Sequence, residues 1–358
     1  MVLVVLAPAA ASAQGSKGTA NYLSEAQQGV ALVQTHWWNA KAGWYNDTFN
    51  GQPPSMPLAR LWSAYPLFET LDAIAVAQPT PTNKAALVAF ADKAAKLYWN
   101  PATKPVGGFG YYPGMRGAAN VYFDDSAWWG LSFIDAYQAT HLPRYLTYAG
   151  RAMRFIVIAG WDAKQGGGIW WDTFHHHKTI EPLAAAVLIG VRLYEMQPRD
   201  TFALNWSVKL LDWANAHSFD KGRGLYQRNA TDPTVMDYAQ GLMATANWEL
   251  CKTLKKPAYC TKARQIANAS LKAFPQDLNW APQFDVVYLR WMLEYYRESG
   301  DRRFYDLAQH NGQRALAAVN ESGYYLNKWD RTPLADGLEE EASNLELFAW
   351  LAAMPAPS

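Results

Sequence analysis

Pro182-Leu-Ala-Ala-Ala-Val-Leu-Ile-Gly-Val191 is apolar on every side of a helix. Such a helix has no face to offer water and must be covered all round. A second stretch repeats the pattern with Val286, Val287, Leu289, Trp291, Met292 and Leu293. Between such segments lie helices with a single apolar stripe. Leu87, Phe90, Ala94 and Leu97 share one face, while Lys93 and Lys96 sit elsewhere. Read along the whole chain, helical periodicity predicts twelve segments, roughly at 19–36, 60–77, 83–97, 124–140, 143–160, 179–197, 200–218, 237–253, 256–274, 283–299, 302–319 and 338–353. The odd-numbered ones are one-sided and the even-numbered ones nearly apolar all round. That alternation describes two concentric rings, even helices inside and odd helices outside. Asn83, Asp200 and Asp237 are the expected caps, and Pro143 and Pro257 suit a first helical turn.

The connections also repeat. Those from odd to even helices are long and carry Gly-aromatic clusters: Gly43-Trp44-Tyr45, Gly108-Phe-Gly-Tyr111-Tyr112, Gly166-Gly-Gly-Ile-Trp170-Trp171, Gly224-Leu-Tyr226 and Gly323-Tyr324-Tyr325, with Leu278-Asn-Trp280 as a degenerate copy. Connections from even to odd helices are short. Six helical hairpins closed in a circle make an all-α (α/α)6 toroid with every long loop on one face. The chain from residue 14 to 358 then reads as one domain.

Lys and Arg number 32 against 31 Asp and Glu. A net charge of +1 excludes an electrostatic nucleic-acid binder, which needs a basic stripe. With 50% hydrophobic and 18% charged residues a large core is expected, not disorder. Residues 1–13, opening Met1-Val-Leu-Val-Val-Leu6 and ending Ala11-Ser12-Ala13, fit a secretory signal and are too short to span a membrane. Sequons at Asn46, Asn205, Asn229, Asn268 and Asn320 point the same way, toward a secreted glycoprotein. Cys251 and Cys260 fit one disulfide better than a metal site. Met354-Pro-Ala-Pro-Ser358 has no apolar tail for a lipid anchor.

The 17 Trp, 20 Tyr and 14 Phe are the compositional excess. Aromatic rings exposed on the loop face suit stacking on the apolar faces of sugars. Trp44, Tyr111, Tyr112, Trp170, Trp171 and Tyr324 are the candidate platforms; packing loops onto helix ends is the alternative for each. Asp124 and Asp125 stand together at the start of an inner helix on that face. Adjacent acids shift each other's ionisation, so one stays protonated while its neighbour is charged. Glycoside hydrolysis needs that division: an acid for the leaving oxygen and a carboxylate for attack or water activation. Asp237 and Asp285 begin other inner helices, as caps or as partners for sugar hydroxyls. Glu339, Glu340 and Glu341 read as dipole-stabilising residues. His175, His176 and His177 are adjacent and do not converge on one ion, so a single sugar contact is the expectation and no metal or other cofactor is implied. Ser126 has no triad partner, and no phosphate-binding glycine motif precedes a helix.

The run Tyr122-Phe-Asp124-Asp125-Ser-Ala-Trp128-Trp129-Gly130, then Gly166-Gly-Gly-Ile-Trp170-Trp171 one hairpin later, resembles glycoside hydrolase family 76. Tyr238-Ala-Gln240-Gly241 is similar to that family's Tyr-x-Gln-Gly element, which adds Trp128, Tyr238 and Gln240 to the expected substrate contacts. The resemblance covers most of the chain. It implies an (α/α)6 fold and an endo-acting, retaining cleavage of α-1,6-mannan. Asp124 would be the nucleophile and Asp125 the general acid/base, their carboxyls about 5–5.5 Å apart. The sequence departs from the family after Trp171, reading Asp172-Thr-Phe-His-His-His-Lys178 where many members carry Lys-Asn and Ser-Asn. Three other readings compete: a wall-building mannosyl transferase of the same fold, a toroid lyase or uronyl hydrolase, and a non-catalytic sugar-binding wall protein. The lyase reading calls for more Arg and Lys in the loops. A single ring gives no reason to expect more than a monomer.

Overall fold

The computed structural model describes residues 21–117, 119–199, 201–354 and 356–357. The apolar N-terminal run and the Asp200 cap lie outside the described residues. Within them are twelve α-helices: α1 (Tyr22–His36), α2 (Leu61–Ala77), α3 (Pro81–Tyr98), α4 (Phe123–Thr140), α5 (Pro143–Ala159), α6 (Ile180–Met196), α7 (Thr201–His217), α8 (Asp237–Leu254), α9 (Pro257–Ala273), α10 (Pro282–Ser299), α11 (Arg302–Ala317) and α12 (Leu338–Ala353). Every predicted segment is recovered to within three residues at either end. The even helices touch in sequence, α2 to α4 and onward to α12, and α12 returns to α2. The odd helices pack outside them.

Burial separates the rings as the periodicity requires. Every residue of α6 from Ile180 to Leu193 is buried. Its outer neighbour α7 buries only Ala203, Ser207, Leu210, Leu211 and Ala214, a single stripe. Each fully buried Leu, Ile or Val of such a stripe stabilises the fold by roughly 1.5–3 kcal/mol. Gly190 lets the two helices close: a Cβ there would lie 2.6 Å from the Ala203 carbonyl. Pro143 and Pro257 occupy first turns as expected. Two caps differ. Thr80, not Asn83, caps α3, because Pro81 fixes the first turn three residues further upstream. Met236 caps α8, and Asp237 falls inside its first turn.

The Gly-aromatic clusters have a local structural cause. Three of them close two-residue antiparallel ladders at the ends of odd helices: β1 (Trp38–Asn39) with β2 (Trp44–Tyr45), β3 (Trp99–Asn100) with β4 (Gly108–Phe109), and β5 (Phe219–Asp220) with β6 (Leu225–Tyr226). Gly43 (φ 62°) and Gly224 (φ 72°) supply the left-handed turn residue. Tyr45 and Tyr226 then fold back onto the helices they follow, their hydroxyls donating to Gln34 at 2.9 Å and Asn215 at 2.7 Å. Cys251 and Cys260 are bridged, with Cα atoms 5.3 Å apart, and staple α8 to α9. No described helix is long and apolar enough to cross a membrane.

The inner ring encloses an ionic cluster. Arg192 of α6 donates to Glu249 of α8 at 2.7 Å and to Glu294 of α10 at 2.9 Å. Arg290 of α10 reaches Asp135 of α4 at 2.9 Å and lies 3.4 Å over the Trp350 ring. Glu69 of α2 accepts from Ser132 at 2.6 Å and from Trp350 Nε1 at 3.1 Å. Asp72 and Glu346 face the same cluster, and burial pushes both carboxyls well up. Burial also raises Glu69 and Glu249 to about 7, while Glu294 is held at about 2, against its burial, by Arg192 and Arg290. Asp135 is ten residues beyond Asp125 on α4, so this cluster lies roughly 15 Å below the loop face.

Candidate active site

The first turns of the inner helices converge beneath the long loops, and a groove of about 630 Å³ opens there. Its floor carries Asp124 and Asp125 in the first turn of α4, with Trp62 of α2, Tyr238 of α8, Phe284 of α10 and Glu339 of α12 around them. The helix N-terminus favours a negative charge at that position, whereas burial opposes it.

The two carboxyls differ in their partners. Asp124 accepts a hydrogen bond from Trp171 Nε1 at 2.8 Å through Oδ2, and from the Asp125 amide at 3.0 Å through Oδ1. Burial raises its pKa to about 7 despite these donors, with Glu181 adding to the rise. The Asp125 carboxyl takes no protein donor among the described residues. Burial, then Asp124, then Glu339 push it well above the carboxylate range, and Arg60 pulls only weakly the other way. Arg60 is itself paired with Asp47 at 3.0 Å. Glu339 accepts from Trp62 Nε1 at 2.6 Å and is raised to about 7, first by burial and then by Glu340. The arrangement holds one carboxyl in a form that accepts hydrogen bonds beside one kept protonated, which is a nucleophile or base next to an acid.

Trp171 is positioned from both sides. Its ring stacks on His177 at 5.0 Å and tilts against Tyr122 at 4.9 Å. The departing segment after it is tied down by Asp172. That buried carboxylate takes Asn120 Nδ2 at 3.1 Å, the His176 amide at 3.2 Å and the His176 ring. These donors hold its carboxyl below the usual carboxylate range, against its burial. His175 stacks on Trp170. The three histidines therefore serve three separate contacts.

The groove is lined by six of the residues nominated from sequence: Asp124, Asp125, Tyr111, Trp128, Trp171 and Tyr238. The others stand elsewhere. Trp44 is buried, with its indole donating to Tyr98 Oη at 2.9 Å, and has no free face for a sugar. Tyr112 uses its hydroxyl to hold the Leu58 amide. Trp170 alternates with Trp171 along an extended segment and faces a separate hollow beside Trp213. Gln240 is buried and clamps Tyr226, accepting from its amide at 2.9 Å and donating to its carbonyl at 2.8 Å. Tyr324 packs among His36, Trp37 and Phe49. Asp237 and Asp285 are buried behind Tyr238 and Phe284. They hydrogen-bond to each other, Asp237 at about 6 and Asp285 at about 9, both raised first by burial. Neither lines the open groove. Trp62, Arg60, Phe284 and Glu339 were not nominated as site residues, although each sits at or just before the first turn of an inner helix.

The family model of glycosyl hydrolase family 76 matches residues 105–349. No curated protein matches the sequence. Solved structures share the fold at low identity. A family 76 glycoside hydrolase (mannosidase) from Bacteroides thetaiotaomicron superposes with a TM-score of 0.81 at 19% identity, covering 93% of this chain and 98% of that one. An inactive variant of the α-1,6-mannanase of a Salegentibacter species, in complex with α-1,6-mannotetrose, gives 0.77 at 16%, covering 94% and 100%. Dfg5 from Chaetomium thermophilum, in complex with glucosamine, gives 0.73 at 15%, covering 94% and 92%. The match over residues 105–349 takes in both groove carboxyls, the Trp171 segment, the inner helices α4, α6, α8 and α10 and most of α12, and the chain belongs to glycosyl hydrolase family 76.

Proposed function

We propose that this protein is a secreted, endo-acting α-1,6-mannan hydrolase that works with retention, with Asp124 as nucleophile and Asp125 as general acid/base. The observation that carries the assignment is the unequal environment of the two carboxyls. Asp124 receives two N–H donors, which favour its anion. Asp125 receives none and faces Glu339, which favours its protonated form. In the first step an Asp124 oxygen attacks C1 of the mannosyl unit. The C1–O6 bond breaks, and Asp125 gives its proton to the departing O6. In the second step Asp125 takes a proton from water, the hydroxyl oxygen bonds to C1, and Asp124 leaves as carboxylate. Two inversions return the original anomer.

The surroundings support a neutral substrate. The groove's own cation, Arg60, is engaged by Asp47, which leaves little to hold the uronate of an acidic polysaccharide. Stacked rings and carboxyls suit a hydroxyl-rich ring with an apolar face. The Salegentibacter variant that binds α-1,6-mannotetrose is described as an inactive form with two consecutive aspartates replaced, which agrees with a catalytic Asp-Asp pair. The signal-like N-terminus, the sequons and the Cys251–Cys260 bridge support an oxidising, secretory location. The closed ring supports a monomer.

The test uses unbranched α-1,6-mannan with wild type, Asp124→Asn and Asp125→Asn. Wild type is expected to release short oligosaccharides. Each variant should lose about a thousandfold or more in rate, equivalent to about 4 kcal/mol of barrier. Products that lengthen when a manno-oligosaccharide acceptor is added would move the assignment to a transferase. Absence of any product, with sugar binding intact in all three proteins, would leave a binding protein.

A further inference from the structure

Of the 17 Trp, 20 Tyr and 14 Phe, only Phe174 and Trp280 are exposed. Both stand on loops of the groove face, Phe174 before α6 and Trp280 before α10. They differ in what lies behind them. Phe174 meets only the edge of His176 at 6.1 Å. Trp280, at 45% exposure, is the outermost member of a ladder of nearly parallel rings. It stacks on Phe284 at 4.5 Å and 22°, and lies 6.2 Å and 11° from Tyr238. Phe284 in turn stacks on Trp62 at 6.0 Å and 21°. Phe284, Tyr238 and Trp62 all line the catalytic groove.

The loop that presents Trp280 is fixed on either side. The Leu278 amide donates to Asn311 Oδ1 at 3.2 Å, and the Leu278 carbonyl accepts from Arg314 at 2.7 Å. Asn279 exchanges two hydrogen bonds with Asp330. Trp280 is therefore held while its outer face meets water and its indole N–H has no protein acceptor among the described residues. A ring with one face packed on a stack that runs into the groove and the other face in water extends that groove's aromatic surface outward. A fixed ring also loses little freedom on binding.

We propose that Trp280 is a sugar-stacking platform that continues the catalytic groove outward, so that affinity for α-1,6-mannan depends on chain length. One pyranose lies its apolar face on the indole while the indole N–H donates to a ring hydroxyl. This rests on the mannan reading above. Trp280 touches no catalytic carboxyl, so a sugar too short to reach it feels nothing of its removal.

The experiment is calorimetric binding of α-1,6-mannobiose and α-1,6-mannohexaose to the Asp124→Asn/Asp125→Asn protein, with and without Trp280→Ala. The expected result is about a tenfold loss of hexaose affinity and less than a twofold change for the disaccharide. Trp280→Tyr, which keeps a ring and a donor, should restore most of the difference. Equal losses on both sugars would make Trp280 a support for the wall and overturn the proposal, as would an unchanged hexaose affinity. If the parent protein binds neither sugar, the mannan reading itself falls and this proposal with it.

Discussion

Replacing Trp171 with Phe tests the division of labour between the two carboxyls. The substitution removes one N–H, the 2.8 Å donor to Asp124 Oδ2, and keeps a ring against Tyr122 and His177. A hydrogen bond to a charged group contributes about 1.5–3 kcal/mol. Asp124 is only partly buried, so the lower figure applies, and at 1.36 kcal/mol per unit its pKa should rise by about one unit. It starts from about 7. In its proposed role as nucleophile Asp124 must be ionised, so activity is expected to be lost as pH falls through that value. The acid limb of kcat/KM, a property of the coupled pair, should move from near 7 to near 8. At pH 6 this is about a tenfold loss of rate, shrinking as pH rises toward the limb set by Asp125. Initial rates on reduced α-1,6-manno-oligosaccharides between pH 4 and 10 measure it. An acid limb that stays in place, or a loss equal at every pH, would refute the claim that Trp171 stabilises an ionised Asp124.

Two further expectations concern the ring's axis. Arg192→Met should cost about 3–5 kcal/mol in unfolding free energy, because it leaves Glu249 and Glu294 buried without their shared cation; a denaturant midpoint equal to wild type would contradict it. Thermal stability should also fall as pH rises from about 5 to 8. The folded state holds protons on Glu69, Glu249 and Glu339 up to about 7, whereas the unfolded chain releases them near 4.5, so the folded form binds more protons in that window and loses stability through it. Glu294, at about 2, has the opposite sign and contributes only below that window, so calorimetric Tm should peak near pH 5; a Tm still climbing at pH 8 would reject this ordering.

The fold was legible because the ring's chemistry is local to each helix. An inner helix such as α6 must be apolar all round, and an outer one such as α7 only along a stripe. The site was legible in part. Asp124 and Asp125 announce themselves as adjacent acids at a helix start. Trp44, Tyr112 and Tyr324 did not reach the groove, because a Gly-aromatic cluster has the same sequence whether its ring packs a hairpin or faces a sugar. Gln240 carries two complementary groups and was used up on the Tyr226 backbone. Trp62, Arg60 and Phe284 belong to no local motif, and Glu339 stands in an acidic run that reads as dipole-stabilising. Ring closure brings them together, and the usable signal was geometric: in a toroid every inner helix begins at the same place, so each first turn supplies candidates. The axial ions were hidden for a related reason. Arg290 and Asp135 are 155 residues apart in sequence and look like isolated polar interruptions until the circle closes.

That closure also explains how the loop end of the inner ring is rich in acids without being strongly charged. Inner helices start with Asp124, Asp125, Glu181, Asp237, Asp285 and Glu339 at or near their first turns. Helix dipoles favour anions there, but each dipole contributes only about 0.3–1 kcal/mol, and burying several carboxylates together costs more. The structure relieves the conflict in two ways. Arg228 neutralises Glu181 at 2.9 Å, and protons are retained elsewhere, with Asp237 and Asp285 sharing one and Asp125 kept protonated beside an Asp124 that accepts two N–H donors. The groove itself is left with Asp124, Asp125 and Glu339, which between them offer hydrogen-bond donors and acceptors while carrying little net charge. The same retained protons are what an acid catalyst needs at neutral pH, so the requirement that acids at five inner-helix starts coexist in one ring already provides Asp125 with the ionisation state that its proposed role demands.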